Sequence, residues 1–146
     1  MRLEDQVVSL ELAKKLKELG FEQQSLFYYC SALRTKDGKS NFYESMSEPM
    51  FVETAEDYDY RKDYSAFTVA ELGQMLPAEA VTHDGKKRVY DLYAHKRWVD
   101  GHWLIGYRME TGGEIGRYET PFGDFEATEA DARAKLLIYL KENKLI

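Results

Sequence analysis

Three histidines, a single cysteine and twenty-six carboxylates are the side chains here with the most chemistry to offer. His83, His95 and His102 lack the i, i+4 spacing that sets two imidazoles on one helix face for zinc. His95 and His102 are placed to face each other across a turn at Asp100-Gly101, but two imidazoles without a third ligand make a poor metal site. Cys30 follows Phe27, Tyr28 and Tyr29, a setting in which a thiol reads as a small buried hydrophobe rather than a nucleophile. Being single, it also excludes an internal disulfide and a Cys-rich zinc site. Asp57-Tyr58-Asp59 opens like a calcium loop, yet Arg61 and Lys62 stand where an oxygen ligand and a glycine belong.

Phosphate chemistry fares no better. Gly38-Lys39-Ser40 matches the tail of a phosphate-binding loop, but the glycine required five residues earlier is Leu33, so the segment reads as a turn. Gly112-Gly113-Glu114-Ile115-Gly116 has the wrong glycine spacing for a dinucleotide fingerprint and precedes no helix pattern. There is no G-x-S-x-G elbow, and no carboxylate pair has a spacing that assigns acid and base roles. No catalytic, cofactor-binding or metal-ligating residue is therefore assigned, and no cofactor is expected.

The elements that must position any site are legible. Leu12, Leu16 and Leu19 with Ala13 mark a first helix, with Ser9 as N-cap and Gly20 as the left-handed residue past its end, so that Phe21 packs back onto Leu16. Thr68-Val69-Ala70-Glu71 is a capping box, flanked by Phe67 and Leu72 as a hydrophobic staple and closed by Pro77; this short helix should lie on a sheet. Thr128 and Asp131 open a third helix striped by Ala130, Ala134, Leu137 and Ile138, expected to fray near Asn143. Residues 25–34 and 41–44 read as a hairpin around Asp37-Gly38, and 88–95 as a strand after Asp84-Gly85. Asp100-Gly101 marks a further hairpin between Trp98-Val99 and 102–109, followed by a strand at 114–118. In the second arm of that hairpin Trp103, Ile105, Tyr107 and Met109 share a face.

This order predicts an α+β fold, a two-layer sandwich. Its mainly antiparallel sheet would be covered on one face by the N- and C-terminal helices plus the short middle one. The length of 146 residues fits a single domain, 1–146, with an irregular acidic loop at about 44–66. A net charge of −6 argues against direct nucleic-acid binding. The longest apolar run, 136–140, is far short of the ~20 residues of a membrane helix, and Glu4 and Asp5 interrupt any signal-peptide core, so a cytoplasmic location is expected. Eleven Tyr, seven Phe and two Trp exceed what one two-layer core easily buries. The surplus defines a candidate interaction surface of Tyr58, Tyr60, Tyr64, Trp98, Trp103 and Tyr107, able to serve a protein partner or a homodimer.

Three segments, VSLELAKKLKELGFEQQSLFYY (7–29), FTVAELGQMLP (67–77) and EATEADARAKLLIYLKEN (126–143), together resemble a family of small uncharacterised proteins encoded in bacteriophages and prophages. The resemblance implies an accessory phage protein acting inside a bacterial host cell and carries over no functional residue; a host or phage protein as partner, and a place as a minor virion component, are separate expectations. The expected function is thus non-enzymatic protein binding through exposed aromatics and the acidic loop. The alternative is a small-molecule or divalent-metal site between loop 53–63 and the 95–102 hairpin, in which Glu53, Glu56 or Asp63 would converge with His95 or His102.

Overall fold

The computed structural model describes residues 2–36, 40–45, 48–51, 60–81, 89–108, 110–111, 114–115 and 126–146. After a 3-10 turn at Leu3–Asp5 come α1 (Leu10–Glu18), β1 (Phe27–Lys36), β2 (Ser40–Ser45), β3 (Met50–Phe51) and β4 (Tyr60–Ser65). Then follow α2 (Val69–Met75), β5 (Glu79–Val81), β6 (Val89–Lys96), β7 (Trp103–Arg108), β8 (Glu110–Thr111), β9 (Glu114–Ile115) and α3 (Glu129–Glu142). Helices and antiparallel strands make this an α+β fold, as the sequence pattern predicts.

The strand pairing is divided where a single sheet was expected. In one sheet β1 is central and antiparallel to β2, β3 and β4; Ser31 is paired with both Ser45 and Arg61. The other sheet has the order β5-β6-β7, also antiparallel, and β8 pairs with β9 in a separate two-stranded ladder. The division falls at α2: the chain leaves the first sheet after β4 and starts a new ladder at β5. Both ends of the expected 44–66 loop are strand instead, because residues 44–45 and 60–65 pair with β1; residues 46–47 and 52–59 lie outside the described ones.

The helix ends obey their local signals. Gly20, at φ +83, closes α1 in a Schellman turn: the Phe21 amide donates to the Leu16 carbonyl (3.1 Å) and that of Gly20 to Lys17 (3.0 Å). The capping box of α2 is complete, with the Glu71 amide on the Thr68 hydroxyl (3.2 Å) and the Thr68 amide on the Glu71 carboxylate (2.7 Å). Phe67 and Leu72 are both fully buried, as a staple requires. Glu71 also accepts from the Ser25 hydroxyl (3.0 Å) and the Leu26 amide (3.0 Å), so the same carboxylate holds the lead-in to β1.

The other two helices begin and end at the expected residues but are closed by bonds the local sequence does not announce. Ser9 occupies the N-cap position of α1 but its side chain makes no capping bond; the Ser9 amide instead donates to Asp131 at the start of α3 (2.8 Å). Asp131 therefore serves two helix starts, its own amide resting on the Thr128 hydroxyl (3.1 Å). At the far end α3 stops at Glu142 with Asn143 as C-cap, where its end is expected: Lys144 takes a left-handed φ of 56, and the Leu145 amide reaches the Leu140 carbonyl (2.8 Å) in a second Schellman turn that returns Leu145 to the core.

The core gathers around α3. Ala130, Ala132, Ala134, Leu136, Leu137, Ile138 and Leu140 are all buried, on more sides of the helix than one stripe would be. It packs against β7, α1 and α2, so α2 lies chiefly on a helix and not on a sheet, while α1 also meets β4. Two short bridges fasten the ends: Val7 to Thr68, and Trp103 to Glu126 just before α3. Buried tyrosines lock backbone carbonyls across this core; the Tyr29 hydroxyl donates to Val8 (2.8 Å) and that of Tyr107 to Pro77 (2.6 Å).

Replacing Asp131 with Ala removes the acceptor of the Ser9 amide and is expected to cost about 1–2 kcal/mol in urea unfolding, whereas Asn, which keeps an oxygen there, should cost less than about 0.5 kcal/mol. Burial raises the Asp131 carboxyl above its ordinary 3.8, outweighing the Ser9 hydrogen bonds that lower it. Folding thus favours the protonated form, so this contribution is full below the ordinary value and declines as pH rises through the folded one; the Asn variant should lack that component. Lys144→Gly relieves a left-handed Cβ and should stabilise by about 0.5–1 kcal/mol in the same assay.

Candidate interaction surface

The β6–β7 hairpin carries the most exposed aromatic side chain among the described residues. Register pairs Lys96 with Trp103 and His95 with Leu104, leaving a loop at 97–102 closed by the Arg97 amide on the His102 carbonyl (2.8 Å). The turn comes earlier than Asp100-Gly101 alone implies, because Trp98 and Val99 belong to the loop and not to a strand. Gly101 allows this with φ +74 and an amide donated to the Arg97 carbonyl (2.8 Å). His95 and His102 consequently do not face each other across the ladder.

Side chains stiffen the loop from within. The Arg97 guanidinium grips Asp100 through Nε (2.9 Å) and Nη2, and Asp100 accepts from the His102 amide (3.1 Å) and lies 2.9 Å from His102 Nδ1. The guanidinium, with help from His102, holds the Asp100 carboxyl well below the usual carboxylate range. Trp98 and Val99 project from this braced loop, 91% and 69% exposed. Burying two such side chains against a partner is worth about 1.5–3 kcal/mol each, and a tryptophan orders few torsions in doing so.

The six aromatics singled out from sequence do not share one surface. Tyr58 lies outside the described residues, and Tyr60 opens β4 opposite Ala32. Tyr64 is half-buried, with the ammonium groups of Lys17 and Lys14 at 5.0 and 5.7 Å from its ring centre. Trp103 is half-buried against the core with Lys96 over its ring. Tyr107 is only 4% exposed and cannot belong to a free surface: the period-2 alternation of β7 turns Trp103, Ile105 and Tyr107 alike toward the core, where α3 covers β7. Trp98 escapes that alternation because it is not in the strand.

The other reactive side chains are spoken for. Cys30 is buried, and burial, then the nearby Asp63 carboxylate, pushes its thiol up, opposite to what an activated thiolate needs. Asp63 accepts from Arg61 Nε (2.7 Å) and from the Ser31 hydroxyl. Among the described residues no group of three His, Cys, Asp or Glu side chains comes together to hold a metal ion, and no helix is long and apolar enough to cross a membrane. Glu53 and Glu56 lie outside those residues.

Beside the hairpin lies a cleft of about 620 Å³ that sequence reasoning did not anticipate at this place. Its walls are Asp5 and Gln6, the start of α2 (Thr68 to Ala70), Lys96, Gly101 and Trp103 of the hairpin, and Ala127 to Glu129. The expected pocket also adjoined the hairpin, but with acids of 53–63 and either histidine as lining; among the described residues none of these lines the cleft. The signal that could have located it is the pair of cap sequences at Thr68 and Thr128, which mark two helix starts, although nothing local says that both face Trp103. Comparison with family models, curated proteins and solved structures finds no match for this chain.

Gly101→Ala forces a Cβ into the left-handed region with only an ordinary contact to Lys96 Cε at 3.6 Å, so its cost, about 1 kcal/mol, is conformational. Trp98→Ala, by contrast, should change stability by less than about 0.5 kcal/mol. Thermal melts of the two variants side by side check that the loop is structured while its tryptophan is spare.

Proposed function

We propose that this chain is a non-enzymatic accessory protein that binds another protein through the Trp98–Val99 tip of the β6–β7 hairpin. The observation carrying the reading is the 91% exposure of Trp98 on a loop braced by Arg97, Asp100 and Gly101. A free tryptophan on a mobile loop would lose entropy on binding; one on a braced loop is already placed, which is how hot-spot aromatics raise affinity. The resemblance to phage and prophage proteins supports a host or phage protein in the bacterial cytoplasm as partner, with a second copy of the chain as the other occupant to test. The acidic segment around 44–63 adds negative charge that would steer a basic partner without supplying much affinity.

The test is affinity capture from bacterial lysate with wild type and with a Trp98→Ala/Val99→Ala variant of equal melting temperature, alongside sedimentation of each alone. A partner, or a dimer, held by wild type and weakened at least about 30-fold in the variant, equivalent to about 2 kcal/mol, supports the reading. Equal retention by both proteins, or none by wild type, overturns it.

A further inference from the structure

We propose that the cleft between the hairpin and the starts of α2 and α3 binds a small organic anion bearing a flat unsaturated ring, the ring lying on Trp103 and the carboxylate or phosphate on Lys96. The volume, about 620 Å³, falls within the range of roughly 300–1,000 Å³ that small-molecule sites occupy. Val69, Ala70 and Ala127 are small, and Trp103, half-buried, is the one aromatic residue lining the cleft among the described residues.

The charges decide the sign of the ligand. Two carboxylates line the cleft, and each already has an arginine: Asp5 takes Arg2 Nη2 at 3.3 Å, and Glu129 takes Arg133 through Nε at 2.9 Å and through Nη2. Lys96 has no carboxylate within ion-pair distance among the described residues; its ammonium stands 5.4 Å from the Trp103 ring centre. An ammonium has three donors, and contact with a ring face satisfies none of them as an anion would. The cleft's uncommitted charge is therefore positive. Thr128 adds a hydroxyl that accepts from the Asp131 amide and still has a proton to donate. A divalent cation is disfavoured by the same count, since both carboxylates are engaged and Lys96 would repel it.

Two sources present this chemistry, a nucleoside monophosphate and an aromatic carboxylate, and titration of the full chain separates them. The probes are adenosine monophosphate, benzoate, adenosine and inorganic phosphate, followed by amide and indole N–H resonances, with Trp98→Ala identifying which indole signal belongs to Trp103. One or both of the first two should shift the Trp103 indole and the amides of 127–129 saturably. Adenosine and inorganic phosphate, each lacking half of the recognition, should bind at least about tenfold more weakly. Lys96→Gln, at an exposed position, should keep the melting temperature and weaken the binding anion by about tenfold or more, whereas Trp98→Ala should bind like wild type. No saturable shift with either ringed anion at millimolar concentration, adenosine or phosphate binding equally well, or wild-type affinity in Lys96→Gln would each overturn the proposal. Since Trp98→Ala tests the protein-binding reading and Lys96→Gln tests this one, either can fail alone.

Discussion

The fold depends on enclosing α3. Successive residues of an α-helix point about 100° apart. Buried side chains at 130, 132, 134, 136, 137, 138 and 140 therefore cover most of its circumference. Such a helix cannot rest on one surface; it must be surrounded. The small alanines of its first half let neighbouring elements approach closely, and the larger Leu136, Leu137, Ile138 and Leu140 fill the space beyond, each contributing about 1.5–3 kcal/mol when removed from water. This need explains why α1, α2 and β7 all converge on one helix, and why α2 is drawn away from the sheets that a two-layer plan would have given it.

Convergence brings helix starts together, and their unsatisfied amides must find partners. Two carboxylates solve this by serving distant segments at once. Glu71 completes the box of α2 and accepts from Ser25 and Leu26 before β1; Asp131 accepts from the Ser9 amide at the start of α1. The start of α1 is thus tied to a residue 122 positions away. With the starts of α2 and α3 fixed in this way, and Trp103 bridged to Glu126, the hairpin is held beside both, and the cleft is the space they leave. The candidate site is a by-product of how the core is closed.

What could be read from the residues is what depends on neighbours in sequence. Gly20 after the leucines and Thr68 three positions before Glu71 each act over fewer than six residues, and each of these helix ends has the geometry its residues demand, while Asp37-Gly38 and Asp84-Gly85 lie outside the described residues. What could not be read acts across the chain. No local pattern says that Asp131 belongs to Ser9, that the strands divide into separate sheets, or that Lys144 will accept a left-handed conformation so that Leu145 can reach the core. Tyr107 illustrates the same limit: its type suits a wet surface, but its place on the core face of β7, opposite α3, overrides that preference.

The two tryptophans of the hairpin carry the argument from fold to function. Trp103 is fixed by the strand: its parity with Ile105 and Tyr107 turns it inward, its backbone is bridged to Glu126, and it is one of the residues lining the cleft. Trp98 is fixed by nothing of the kind. The loop is held by the mutual grip of Arg97 and Asp100 and by the backbone angle of Gly101, whereas the side chain at position 98 is 91% exposed. A large apolar ring there gains the fold nothing and invites self-association, a liability that sequences ordinarily avoid. Its exposure is what the proposed contact with another molecule would use, while Trp103 is explained from inside the fold; the same hairpin holds one ring against the core and presents the other.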